Sequence, residues 1–445
     1  MQIRAVLQGN PPLGEVNHSP FGRETIPIEE HWSETTMAKR DNNSDVYVSR
    51  AEPSGMTDDE FLLLNPGPVP VTRRVREAMD APMVSHRSAA FEVVYERAQD
   101  GLDYVFEHST PGEESTSAGG TSLVLNGTAT MGMEAAVANL VGEGDEVIAL
   151  VNGKFGRRFA RIAERYASVT RVEVGWGDAL GPDSVAEAVT DDTDLVTMVH
   201  NETSTGVLNP VPAVGGIAAD YDARFVVDGV TSIGGDVFRI DDWNVDIAIT
   251  DAQKALAAPP GISAMYVTDR VVEHLDGERA PFYADLDWHL RKAESHQTPF
   301  TSAVPLFRAL AVAVEEIESE GMATRIERHR RQSAAFRAGF GEMGLEGFPT
   351  LDDASTHSNT VTAISLPDPV REQPEEFFAA VDERNVSISG GQAHLGGDIF
   401  RVSNMGHLAE DQVLRGIRTV GEAFTDIGVD VDLEAGLDAV RAELD

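Results

Sequence analysis

Residues 122–140 read SLVLNGTATMGMEAAVANL: an apolar run, a turn of small residues, then a helical pattern. A strand that ends on such a turn and feeds an amphipathic helix leaves the amides of Thr128, Ala129 and Thr130 at a helix N-terminus. Unpaired N–H groups and the positive end of the helix dipole favour an anion there, such as phosphate. Taken alone, a plain strand-to-helix turn is the commoner reading, and no Lys-Ser/Thr pair follows as a nucleotide-binding P-loop would need. The sequence around the segment decides the fold. Six further short apolar runs follow: EVIALV (146–151), VTRVEV (169–174), LVTMVH (195–200), RFVVD (224–228), VDIAIT (245–250) and SAMYV (263–267). Helical segments separate them. This alternation predicts an α/β fold with a mainly parallel, seven-stranded sheet covered by helices on both faces. In such sheets ligands gather at the carboxyl ends of the strands.

Upstream, VTRRVREAMD reads as a helix with Thr72 as its cap, and FEVVYERAQDGLDYVF as a second helix. Ser109 to Ser122 is a polar, Gly-rich surface loop with no chemistry of its own. Residues 1–55 mix charge, Pro, Asn and Ser without periodicity and read as a disordered N-terminal extension, either a misassigned start or a targeting or regulatory arm. A large α/β domain is expected over 56–310. Two helices, near AVAVEEIESEG and through ATRIERHRRQSAAFRAGFGEMG, lead into a smaller C-terminal α+β domain, 311–445. Its elements are TVTAISL, EEFFAAVDERN, VSIS, IFRVS and AEDQVLRGIRTVGEAF. There is no internal repeat.

The chain has 445 residues, 42% apolar, with 35 basic residues against 74 acidic ones and a net charge of −39. Such a surface repels a phosphate backbone or an anionic membrane, which argues against nucleic-acid and membrane partners. Lysine occurs only at 39, 154, 254 and 292; all other basic residues are arginine. That bias suggests a halophile, because molar salt shrinks the Debye length to about 3 Å and screens repulsion among surface carboxylates. No apolar stretch approaches the ~18 residues of a membrane span, and the N-terminus lacks a signal-peptide core. With no cysteine there is no disulfide framework, thiolate metal site or cysteine nucleophile. A cytoplasmic protein is expected.

Two of the later runs carry ionisable groups to the carboxyl end of the sheet. RFVVD ends in Asp228, and DIAITDAQK ends in Gln253 and Lys254. An aspartate there could cap a helix, and a lysine could be solvated surface. Yet Lys254 is one of four lysines in a chain that otherwise uses arginine. A lysine supplies what arginine cannot, a deprotonatable amine for a Schiff base. A phosphate site, a carboxylate and such a lysine together describe binding of pyridoxal 5′-phosphate, where the acid holds the pyridine nitrogen protonated.

With these residues the chain resembles the class V, fold type I aminotransferases of the alanine–glyoxylate and serine–pyruvate group. The motifs LLLNPGPVPVTRRVREAM, SHRSAAF, NGTATMGMEAAVANL, NGKFG, VHNETSTGVLNP, VDGVTSIGGDVF, TDAQKALAAPPG, TPFTSAVPLFRAL and IFRVSNMG carry the likeness, from about Phe61 to the C-terminus. The resemblance implies Lys254 as the Schiff-base lysine and Asp228 as the partner of the pyridine nitrogen. It implies Phe155 as the aromatic that stacks on the ring and Thr203 as a hydroxyl contacting it. Thr128, Ala129, Thr130 and Gln253 match the phosphate cup. Thr298 and Thr301 match a segment that reaches the neighbouring subunit's cofactor, which implies a homodimer with shared sites; some relatives carry Tyr where Thr298 stands. Arg401 matches the arginine that clamps the substrate carboxylate, a role suited to a planar guanidinium.

The implied reaction moves the amino group of a small amino acid, alanine or serine, to a 2-oxo acid, glyoxylate or pyruvate, with ping-pong kinetics. HNETSTGVLNP and FRVSNMG also resemble 2-aminoethylphosphonate–pyruvate aminotransferases, and a third reading is a cofactor-binding protein without turnover. A cysteine desulfurase is excluded for want of a cysteine. His200 reads as a packed strand-end residue, and His289 and His296 match no zinc spacing, so no metal is expected. Arg87 reads as an entrance residue or an ion-pair partner, and the run GGQAHLGG (390–397) as an active-site loop or a hairpin.

Overall fold

The seven apolar runs become seven strands because their side chains are buried on both faces of one sheet. In the computed structural model, which describes residues 61–112, 119–275, 277, 280–351 and 355–445, these are β1 (Gly120–Asn126), β2 (Glu146–Val151), β3 (Ser168–Glu173), β4 (Thr193–Val199), β5 (Arg224–Asp228), β6 (Ile247–Asp251) and β7 (Ile262–Thr268). The extension expected at 1–55 lies outside the described residues, as do residues 113–118 of the expected surface loop. The strand order is β1-β7-β6-β5-β4-β2-β3. Strands β3, β2, β4, β5 and β6 pair in parallel, and β7 runs antiparallel to both β6 and β1. Only the edge strand β3 alternates between exposed and half-buried residues; β6 and β7 are buried throughout.

This order places the site. The chain runs outward from β2 to β3, then returns to lay β4 on the other side of β2, so the topology reverses between β2 and β4. A crevice opens at such a reversal, outside the carboxyl ends of the strands. The segments after β2, β4 and β6 carry Phe155, Thr203 and Lys254 to it, and β5 ends there in Asp228.

The sheet lies within a hydrophobic cluster that includes Phe91, Phe106, Phe225, Met265 and Phe307. A second cluster gathers Leu62, Leu64, Phe336, Phe340, Phe377, Phe400 and Phe424, with the Phe377 and Phe424 rings stacked at 4.4 Å. It covers a three-stranded antiparallel sheet of β8 (Val361–Ser365), β9 (Ser389–Gly390) and β10 (Ile399–Ser403), in the order β8-β10-β9. Leu62–Leu63 pairs in parallel with Val386–Ser387, so the first described residues belong to this second core.

Local chemistry explains most helix boundaries. Thr72 caps the helix Arg73–Met79 by accepting the Val75 amide at 3.3 Å, and Gly321 separates the helices Val304–Glu320 and Met322–Glu342. The terminal helix Leu433–Leu444 is not among the elements expected from the sequence. It lies so close to Met322–Glu342 that a Cβ on Gly436 would stand 2.8 Å from the Gly339 carbonyl oxygen. Among the described residues no helix is long and apolar enough to cross a membrane.

Candidate active site

Asp228 is the last residue of β5 and is buried. Its Oδ1 accepts the Val230 amide at 2.9 Å. Burial pushes its carboxyl up to about 7; the Val230 bond and the charges of Arg158 and Lys254 oppose the rise, and Glu202 adds to it. Lys254 stands three residues beyond β6 and is buried too. Burial pushes its amine down to about 8, the nearby charge of Arg401 reinforces this, and Asp251, Asp228 and Glu202 oppose it. Its Nζ donates to the carbonyl of Pro66. The next residue, Gly67, has φ 95°, and a Cβ there would meet the Lys254 side chain at 2.6–2.9 Å, so only glycine lets the two share this space.

Both groups face a cleft of about 320 Å³, within the ~300–1,000 Å³ range of small-molecule sites. Thr128, Ala129, Thr130, Phe155, Thr203, Gln253 and Arg401 line the same cleft, so every position expected to serve its own chain's site is brought together. Thr128 is the N-cap of the twelve-residue helix Ala129–Leu140, and its hydroxyl makes no capping bond, which leaves it free for a ligand. The Ala129 amide does not face open space: Asp251 Oδ2 accepts it at 2.9 Å. Thr203 Oγ1 is hydrogen-bonded to Thr231 Oγ1.

Arg401 sits on β10, buried, with its plane fixed by backbone carbonyls. Nε and Nη2 donate to Gly390 O at 3.1 and 2.7 Å, and Nη1 donates to Thr203 O at 2.9 Å. Burial lowers it to about 10, so it stays charged at neutral pH. The GGQAHLGG run is therefore part of the site: Gly390 orients Arg401, and Ser389 and Gln392 line the cleft.

Thr298 and Thr301 do not line this cleft. Thr298 is buried, its hydroxyl bonded to Phe300 O at 2.7 Å and to Ser302 Oγ at 2.6 Å, while Thr301 is exposed. Arg87 holds this segment by donating to the carbonyls of Thr298 and Pro299, at 2.6 and 2.9 Å, and has no ion pair among the described residues. His200 packs edge-on against Phe238 and Trp243, hydrogen-bonded to Ser232, and burial pushes its ring down to about 3. No group of His, Asp or Glu among the described residues could hold a metal.

Four functional positions are not among those expected from the sequence. Arg158 donates to Thr130 Oγ1 at 2.8 Å and lies over the Phe155 ring, 4.7 Å from its centroid. Glu202, fully buried, accepts the amides of Phe155 and Gly156 at 3.1 and 3.0 Å and thereby fixes the aromatic at the start of its helix. Asp251 binds the Ala129 amide and, at 2.7 Å, Gln253 Nε2. Arg325, fully buried 71 residues beyond Lys254, donates to the carbonyls of Ala255 at 2.8 Å and Gly234 at 2.7 Å. It thus grips the residue next to Lys254 and the turn that follows Asp228. An acid in the run HNETSTG and the arginines in NGKFGRR are visible as residues, but no periodicity or spacing shows what they face.

The arrangement is that of an α/β enzyme with a buried amine and a buried acid at a topological reversal. The model of the family "Aminotransferase class-V" matches residues 84–415. An uncharacterized aminotransferase of Methanocaldococcus jannaschii is 36% identical, over 86% of this chain and 97% of its own length. An L-aspartate–glyoxylate aminotransferase of Paracoccus denitrificans is 31% identical, over 84% and 94%. The ureidoglycine–glyoxylate aminotransferase structure from Bacillus subtilis superposes with a TM-score of 0.78 at 28% identity, over 88% and 99%. The chain belongs to the class V aminotransferases, and it is a pyridoxal 5′-phosphate-dependent enzyme of fold type I.

The residues present fit that cofactor. Among the described residues the Asp228 carboxylate accepts one hydrogen bond, from the Val230 amide, and no cation stands within hydrogen-bonding reach of it; a protonated pyridine nitrogen would supply one. Gln253 Oε1 and Asp251 Oδ1 are buried without a partner among the described residues, and the helix start with the free Thr128 hydroxyl suits a phosphate.

Proposed function

We propose that the enzyme moves the amino group of a small amino acid, alanine or serine, to a 2-oxo acid, glyoxylate or pyruvate, in two half-reactions at one site. The observation that carries this reading is the convergence of Lys254, Asp228 and Arg401 on a single cleft. Bound pyridoxal phosphate supplies an electron sink for charge developing at the substrate's Cα. Asp228 keeps the ring nitrogen protonated, its carboxylate stabilised once that cation is beside it. Lys254, with its amine lowered to about 8, would hold the cofactor through its amine and, once free, act as the base that takes the proton from the substrate's Cα. Arg401 holds the substrate carboxylate with the donors its carbonyl partners leave open. Phe155 and Thr203 would hold the ring, and Thr128, Thr130 and Gln253 the phosphate, since all five line the same cleft.

Thr301, exposed, is the member of the TPFTS run suited to reach a second subunit's cofactor, in keeping with a homodimer. Residues 56–310 and 311–445 are taken as the large and small domains, and the acidic, lysine-poor surface suits a cytoplasm of high salt. Glyoxylate stands as acceptor in the names of two of the similar proteins. A donor with an acidic group beyond its carboxylate, such as L-aspartate, or with a phosphonate in place of the carboxylate, such as 2-aminoethylphosphonate, is the second reading. Arg158, which lines the cleft, and Lys154, close enough to feel the charges of Arg158 and Arg401, favour it, because neither has an ion pair among the described residues.

The test is the visible absorption of the cofactor-loaded protein in molar KCl. Bleaching by L-alanine or L-serine, reversed by glyoxylate or pyruvate, supports the first reading. Bleaching by L-aspartate or 2-aminoethylphosphonate alone moves the assignment to the second. A yellow protein that no donor changes refutes both.

A further inference from the structure

Behind the turn that carries Thr203 lies a second cavity, of about 170 Å³, that the transamination does not use. Gly206 forms one wall, and β8 and the C-terminal end of the helix Met322–Glu342 form others, so most of the lining is apolar. Three polar side chains interrupt it: Arg337, His357 and Thr362. Arg337 uses only Nη1, which donates to Ser333 Oγ at 3.0 Å and to Ser358 O at 3.1 Å. Its Nε and Nη2 have no partner among the described residues, and Glu443 acts on it only at a distance. Although the chain has 74 acidic residues, this half-buried guanidinium forms no ion pair among the described residues. Thr362 is 4% exposed, and its Oγ1 has no hydrogen-bond partner among the described residues. His357 stays neutral, its ring lowered by burial and by the Arg337 charge, so it can donate or accept.

Two glycines of the same helix sharpen the picture. Gly339 is required by packing, since a Cβ there would meet Val440 at 2.6 Å and Ile417 at 2.8 Å. Gly341 is exposed at the cavity rim, and a Cβ there would meet nothing within 4 Å. Close packing therefore does not account for Gly341, and its lack of a side chain leaves the rim open.

We propose that this cavity is a second ligand site, taking a small oxyanion, most simply a short aliphatic carboxylate, on Arg337 and Thr362. A guanidinium with unused donors recognises carboxylate or phosphate alike; the apolar walls favour a carboxylate with a short carbon tail. An occupant would be felt at the substrate. Ala363, in the cavity wall, is the cross-strand partner of Arg401. The Gly206 carbonyl, on the same wall, accepts the Ser358 amide at 2.9 Å, and three residues earlier Thr203 O accepts from Arg401 Nη1. The site is thus an effector site for carboxylate binding at Arg401. It does not rest on which amino donor the enzyme uses.

The experiment is calorimetry on the cofactor-loaded protein with propionate and, separately, inorganic phosphate, at constant ionic strength in KCl. Propionate has neither an amino nor an oxo group and cannot turn over. Saturable binding is expected, weakened at least tenfold by Arg337→Gln and by Gly341→Leu, and retained in Arg401→Ala. Both cavity variants should keep the wild-type kcat in the absence of propionate. In the wild type, bound propionate should change the KM for the amino donor at least twofold with kcat unaltered, and Arg337→Gln should abolish the change. Saturable binding of phosphate with propionate silent would make the ligand an inorganic oxyanion. Binding lost in Arg401→Ala, or equal in the wild type and both cavity variants, overturns the site, as does no saturable binding of either probe. Binding without a change in KM overturns the coupling.

Discussion

Two regions of the molecule gather arginines and treat them in opposite ways. At the junction of the helices Val304–Glu320 and Met322–Glu342, Arg325 and Arg328 share the carboxylate of Glu320, at 2.7 and 2.6 Å. Arg325 Nε and Nη2 hold the carbonyls of Gly234 and Ala255, and Arg328 Nη2 holds that of Gly406. At the cleft, Arg401 and Arg158 are also oriented by neutral partners, yet neither they nor Lys154 and Arg157 form an ion pair among the described residues. A buried cation compensated inside the protein serves the fold. One left uncompensated keeps its charge for an anionic ligand. Only the partners separate these roles, since both regions are built from the same residue type.

The largest effect expected on this contrast is at Lys254, the lysine that lines the cleft. Lys254→Ala should abolish steady-state turnover, by ~10⁴-fold or more in kcat, while thermal unfolding of the cofactor-free protein changes little. Normal turnover in this variant would remove Lys254 from the chemistry.

Next comes the junction. Arg325→Met leaves Glu320 with Arg328 alone and frees two buried carbonyls, so stability should fall by about 3–5 kcal/mol in urea unfolding. Arg325→Met with Glu320→Leu should recover part of that loss, because the carboxylate no longer lacks one of its cations. If the single variant is as stable as the wild type, the junction is no structural clamp and the contrast fails.

Arg401→Ala should raise the KM for amino and oxo acids alike by roughly 10²-fold, the worth of a charge-assisted bidentate contact at about 1.5–3 kcal/mol. An unchanged KM would mean that the uncompensated charge serves something other than the substrate carboxylate.

A smaller, graded effect should appear with pH. Only a neutral amine attacks the cofactor aldehyde, and Lys254 is lowered to about 8. Uptake of pyridoxal phosphate by the cofactor-free protein should therefore quicken as pH rises and level off above about 8. A solvated lysine would give a midpoint near ~10.4. The same shift has a stability consequence of fixed sign. Between about 8 and 10.5 the unfolded state binds more protons at this residue than the folded state. The contribution of Lys254 to stability therefore rises with pH across that window. Asp228, raised to about 7, acts in the opposite direction, its contribution falling as pH climbs from about 4 to 7.

Much of this is legible in the amino-acid sequence. The seven apolar runs form the seven strands because a β-strand buried on both faces announces itself as a short, continuous apolar segment. Lys254 stands out by rarity, since arginine fills almost every other basic position. Asp228 and Arg401 are marked by their places in the chain's motifs. The last helix, Leu433–Leu444, is harder to recognise although its apolar positions are in view, because its face is defined by contact with a helix a hundred residues earlier.

What the sequence by itself determined is the list of strands, the class of chemistry and the residues able to carry it, because these follow from local pattern and residue type. Only the tertiary structure decided that Asp251 takes the Ala129 amide, that Glu202 fixes Phe155, that Arg325 holds the backbone beside Lys254 and after Asp228, and that Arg337 keeps donors open among the described residues. Each of these depends on which partner fills a polar group's remaining bonds. That partner is set by the order of the strands and the crossing of the helices, which bring together residues that lie far apart in the chain.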